Sequence, residues 1–100
     1  MSPNYQAEFP DYRPEDMPAI PAGWVDQSWH NDACPFFLAA PDLGVFVDYA
    51  DPHTRECDEG HRFMVVRMED GMHPAEGGEL LLATDEWSEV LAFSERRRHD

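Results

Sequence analysis

Apolar residues in this chain gather into short runs separated by turn formers, a spacing that suits strands better than long helices. Phe36 to Ala40 is one such run. Pro41, Asp42 and Gly44 supply turn chemistry, and Val45 to Tyr49 follows, rich in β-branched and aromatic residues. Together they predict a hairpin. Beyond the polar loop Ala50 to His61, the stretch Arg62 to Met68, with Phe63, Val65 and Val66, predicts a third strand. Gly71 to Gly78 is turn-prone, with Pro74 and a Gly-Gly pair, and the short apolar run Glu79 to Ala83 predicts a fourth.

The pattern changes period after Thr84. Trp87, Val90 and Leu91 fall at i, i+3 and i+4, with Phe93 near the edge of that stripe, which predicts an amphipathic helix covering one sheet face. Thr84 is expected as its N-cap and Asp85 and Glu86 as its first turn. Arg96, Arg97 and Arg98 lie at the far end, where positive charge complements the macrodipole.

Residues 1–22 hold Pro3, Pro10, Pro14, Pro18 and Pro21 with no sustained period, and predict an extended N-terminal arm ahead of a single domain over residues 23–100. Tyr5, Phe9 and Tyr12 give that arm aromatic side chains with which to pack across the domain or onto a partner. Gly23 to Pro35 brings Trp24, Trp29, His30, Asn31, two aspartates and Cys34 into a compact loop. Strands joined by short connections pair antiparallel, so the expected fold is α+β. A four-stranded, mostly antiparallel sheet carries the C-terminal helix on one face, leaving the other to the arm and the Trp24 to Pro35 loop.

Composition adds charge to this outline. The 100 residues include 21 Asp and Glu against 7 basic residues, a formal net charge of −14, and every basic residue other than His is Arg. Such a surface repels a phosphate backbone, so direct nucleic-acid binding is not expected. It attracts a basic macromolecule, foremost a protein. No run approaches the ~20 apolar residues of a bilayer span, and Met1 to Pro10 lacks the pattern of an export signal. A cytoplasmic protein without a membrane role is the expectation, with Cys34 and Cys57 as thiols.

Two constellations carry candidate chemistry. His30-x3-Cys34 and His53-x3-Cys57-x3-His61 offer imidazole and thiolate, the donors zinc prefers, but without the paired cysteines of structural zinc sites. A small metal-binding or thiol-dependent protein using His30, Cys34, Cys57 and His61 is therefore the alternative reading. Acidic groups recur at Asp48 and Asp51, at Glu56, Asp58 and Glu59, at Glu69 and Asp70, and at Asp85, Glu86 and Glu89. None has the spacing of a calcium loop, and no glycine-rich phosphate loop or Ser-His-Asp arrangement is present. No enzyme chemistry and no cofactor are expected.

The preferred expectation is a non-enzymatic acidic protein that blocks a basic site on a partner, of the kind that holds nucleic acid. Phage-borne anti-CRISPR proteins and toxin-immunity proteins are classes whose physical demands the chain meets. The expected contact residues are Glu56, Asp58, Glu59, Glu69 and Asp70, with Trp24 and Trp29 as aromatic anchors if exposed.

Overall fold

A computed structural model of the chain describes residues 5–30, 33–55, 60–68 and 79–98. Among these residues five strands, β1 (Val25–Asp26), β2 (Phe36–Ala40), β3 (Leu43–Val47), β4 (Phe63–Arg67) and β5 (Leu80–Thr84), form one sheet in the order of the chain. Every neighbouring pair is antiparallel. The helix α2 (Trp87–Arg98) follows β5. The fold is the expected α+β class, with five strands in place of four. The additional strand is β1, in the segment expected to be loop: two residues suffice to pair Val25 with Leu38 and Asp26 with Phe37. So short a pairing leaves no alternating pattern to read.

The β2–β3 hairpin turns at Pro41 and Asp42, and Gly44 lies inside β3 rather than in the turn. The reason is packing. A Cβ at position 44 would stand 2.6 Å from Cε1 of Phe36, whose ring lies over the glycine. Only a residue without a side chain lets that ring rest on the backbone.

Strand alternation sends the two faces to different fates. Phe37, Val45, Val65 and Leu82 align across the sheet, as do Val47, Phe63 and Thr84. This face holds the main core, in which Phe9, Tyr12, Phe37, Leu43, Val45, Val47, Phe63, Val65 and Val90 are buried together. Register shifts in β2 and β5 turn Ala39 with Ala40, and Leu81 with Leu82, toward this same core. The second face is thinner, with Phe36, Val66 and Met68 buried and Leu38 and Phe46 half-buried beside them. Val25 pairs with Leu38 and Leu80 with Val66, which places these two exposed residues at opposite ends of the second face.

Two expectations about coverage change here. The arm and the helix share the main-core face, because Phe9 and Tyr12 belong to the cluster that contains Val90. Nor is the arm extended throughout: Tyr5–Glu8 forms a short helix, α1, and Pro14–Asp16 a 3-10 turn. Aromatics at positions 5, 9 and 12 fall one helical turn apart. Tyr5 meets Tyr12 edge-on at 5.8 Å and Phe37 at 6.3 Å.

The C-terminal helix begins at Trp87, later than Thr84 suggests. Thr84 closes β5 and still serves the helix entrance: its Oγ1 accepts from the Glu86 N–H at 3.0 Å and donates to Glu89 Oε1 at 2.7 Å. Asp85 accepts from the Arg62 N–H at 2.8 Å, tying the entrance to β4 instead of lying in the first turn. The buried stripe also shifts. Val90 is fully buried and Ser94 nearly so, Trp87 and Phe93 pack against the core, and Leu91 is half-buried outside the core cluster.

Candidate functional site

Of the seven contact residues expected from the sequence two are in view, because Glu56, Asp58, Glu59, Glu69 and Asp70 lie outside the described residues. The two tryptophans have opposite fates. Trp24 packs against the main core and meets Trp87 at 5.7 Å and 63°, a structural role. Trp29 is 47% exposed and stacks on His30 at 4.4 Å, so it is the one available as an anchor.

The residues proposed for zinc diverge. His30 is exposed, and its backbone N–H and Nδ1 both meet Glu8 Oε1, at 3.1 and 3.0 Å. Those hydrogen bonds to His30 hold the Glu8 carboxyl below its usual range. Cys34 is buried, 1% exposed. His61 lies 3.6 Å from Asp85, and Cys57 lies outside the described residues. Among the described residues no group of three or more His, Cys, Asp or Glu is placed to hold a metal ion.

A cleft forms where the arm meets the end of β3 and the following loop. It encloses about 180 Å³ and is lined by Asp11, Tyr12, Arg13, Asp16, Tyr49, Ala50, Asp51 and Thr54. Sites for drug-sized molecules run from about 300 Å³ upward, so this one suits a single side chain. Its floor is aromatic, with Tyr12 and Tyr49 at 5.0 Å between ring centroids. Its rim is acidic. Asp11 accepts from the Tyr49 hydroxyl at 2.8 Å, and Asp51 accepts from the His53 N–H at 2.9 Å, capping the 3-10 turn Pro52–Thr54.

Arg62 fixes this cleft from behind. Its side chain donates to the Asp48 carbonyl at 3.2 Å, to the Tyr12 hydroxyl at 3.1 Å and to the Asp16 carbonyl, while its guanidinium stands 5.0 Å over the Phe63 ring. Tyr12 in turn donates to the Asp48 carbonyl at 3.0 Å. Arm, β3 and β4 are thereby tied to one cation. Burial pushes the Tyr12 phenol up, against the opposing pull of Arg62. Burial, then the bond to Asp11, pushes Tyr49 well above the ordinary range, so both hydroxyls are neutral donors at neutral pH.

Three further arginines are engaged as well. Arg55 donates to the carbonyls of Tyr49, Ala50 and Gly60, which shapes the loop beside the cleft. Arg13 pairs with Glu15 at 2.8 Å and Arg67 with Glu79 at 3.5 Å. Sequence reasoning missed Asp11, Asp16, Tyr49 and Arg62. The signal for them was the aromatic spacing of the arm, which marks Tyr12 as a residue to be buried and its neighbours as a rim.

Compared with protein-family models, curated proteins and solved structures, the chain matches none. Among the described residues, no helix is long and apolar enough to cross a membrane.

Proposed function

We propose that this chain is a non-enzymatic binding protein whose acidic surface occupies a basic site on a partner protein, in the manner of anti-CRISPR or immunity-type inhibitors. The observation that supports this reading is the division of labour between the charges. Arg55 and Arg62 are turned onto the chain's own carbonyls, and Arg13 and Arg67 are paired with carboxylates. With these four engaged, and 21 Asp and Glu against 7 basic residues in all, the carboxylates set the outward field of a chain with net charge −14.

The cleft gives that field a focus. A lysine or arginine side chain entering it would meet a lining in which Asp11, Asp16 and Asp51 stand with two tyrosines and the single cation, Arg13, is paired with Glu15, a balance favourable to a cation. A partner that normally holds DNA or RNA presents such side chains in a row, and occupying them excludes the nucleic acid.

The test is capture of a partner from the source cell at low and at physiological salt, followed by competition with that partner's nucleic acid. Binding should be rapid at low salt and weaken as salt rises, because charges beyond a Debye length of about 8 Å are screened at physiological ionic strength. A captured partner that binds equally at both salts and keeps its nucleic acid would contradict the proposal.

A further inference from the structure

The two edges of the sheet are finished differently. At the β1 edge the strand is two residues long, and the Tyr5 N–H at the start of α1 donates to Asp26 Oδ2 at 2.8 Å, so the arm is tied to this edge. At the other edge β5 runs for five residues, Leu80–Thr84, and among the described residues pairs with β4 alone. Its sequence, LLLAT, contains no charge and no proline, the two devices that usually keep an edge strand from pairing with another chain. None of its three leucines is fully buried, and Leu80 is 55% exposed.

We infer that β5 is the pairing edge of a symmetric dimer, in which a second copy adds its own β5 antiparallel to the first and continues the sheet. This goes beyond the proposed partner binding and does not depend on it. Charge decides the occupant. A chain of net charge −14 meets its own copy unfavourably over an acidic surface, and β5 is an uncharged approach.

Symmetry then supplies attraction beside the strands. A two-fold axis perpendicular to the sheet sets the two β5 strands antiparallel and keeps both main-core faces on one side. Because α2 follows β5 after only Asp85 and Glu86 and packs back over β5 and β4, the two copies of α2 also run antiparallel. The acidic start of each, Asp85, Glu86 and Glu89, is then set toward the end of the other, where Arg96 is exposed. Opposite charges and opposed helix dipoles both favour that arrangement.

One five-residue strand pair and a helix flank make a small interface, so the association should be weak, with a dissociation constant above about 1 µM. Sedimentation equilibrium of the full chain from about 5 µM to about 1 mM, a range set by that weakness, should show a monomer–dimer equilibrium. Over the same range, amide exchange in Leu80–Thr84 should slow with concentration while β1 is unaffected. Leu80→Lys should weaken dimerisation at least about ten-fold, since lysine on an edge strand opposes pairing. Arg96→Glu should weaken it roughly five-fold, and Glu86→Arg combined with Arg96→Glu should restore most of that loss. A chain that remains monomeric at the highest concentration, or that dimerises with exchange in Leu80–Thr84 unchanged, overturns the inference. The exchange measurement on the unaltered chain needs no variant to fold.

Discussion

The arm and the C-terminal helix cover the same sheet face by different means. The helix is held by apolar contact: Val90 is fully buried, and Trp87 stands 5.1 Å from Phe63 between ring centroids. The arm adds polar fastening to its aromatics, because Tyr12 and the Asp16 carbonyl both receive a hydrogen bond from Arg62. Apolar packing of this kind tolerates a change of sequence that keeps volume. A cation shared by three segments does not, since removing it takes the Arg62 donor from the buried Tyr12 hydroxyl and from the half-buried Asp16 carbonyl at once. The cleft belongs to the fastened region, so its shape depends on Arg62 more than on any residue in its own wall.

Phe63 is where the two means meet, lying under both Trp87 and the Arg62 guanidinium. Phe63→Ala should therefore be the most damaging single change, costing about 3–5 kcal/mol by chemical denaturation. Arg62→Ala comes next, at about 2–3 kcal/mol, for the hydrogen bonds of one charged donor. Its signature should be local: amide exchange in residues 9–16 should rise more than exchange in α2. Equal loosening of both would show that arm and helix form one unit and would dissolve the contrast.

Within the helix, Phe93→Ala should destabilise more than Leu91→Ala, because Phe93 packs against the core cluster and Leu91 does not. About 2–3 kcal/mol against about 1 kcal/mol is the expected order, given the greater apolar area of a packed aromatic. Trp87 is a special case, since its Nε1 is buried and has no hydrogen-bond partner among the described residues. Trp87→Phe removes that donor with part of the ring, so stability should change by no more than about 1 kcal/mol.

The smallest effect expected is one of pH. Tyr12 and Tyr49 both have folded-state values raised above their ordinary 10, by burial first. A raised value in an acid that is neutral when folded favours the fold fully below pH 10. The contribution is lost above it, as the unfolded chain ionises first. Denaturation midpoints should fall as pH rises beyond 10, and less steeply in Tyr49→Phe. An equal slope in both proteins would remove Tyr49 from this account.

Much of this fold was legible because its signals are local. Runs such as Phe63 to Val66 read as strands, and the alternation within them sorts the two faces. Thr84 was recognisable as a helix-entrance residue, although it acts from the end of β5. β1 was not legible, because it exists only through pairing with β2, a contact between segments that no local pattern encodes. The cleft was illegible for a related reason. Asp11 and Asp51 are far apart in the chain, and their segments are brought together by Tyr12, pinned through Arg62, and by the Tyr49 hydroxyl on Asp11. Charge led to the proposal of a basic partner without saying where one would sit, since a count of carboxylates carries no geometry.

The central claim is that the acidic surface, focused at this cleft, is what a basic partner meets. Its most direct measurement is a calorimetric titration with an arginine-rich peptide at low and physiological salt. The unaltered chain is compared with Asp11→Asn/Asp16→Asn/Asp51→Asn and with a control neutralised elsewhere, Glu79→Gln/Glu86→Gln/Glu95→Gln. Both variants lose three charges, so a long-range field alone would weaken them equally. The account predicts that the cleft variant loses at least about ten-fold more affinity than the control, with binding to every form weaker at the higher salt. Equal losses in the two variants would contradict it.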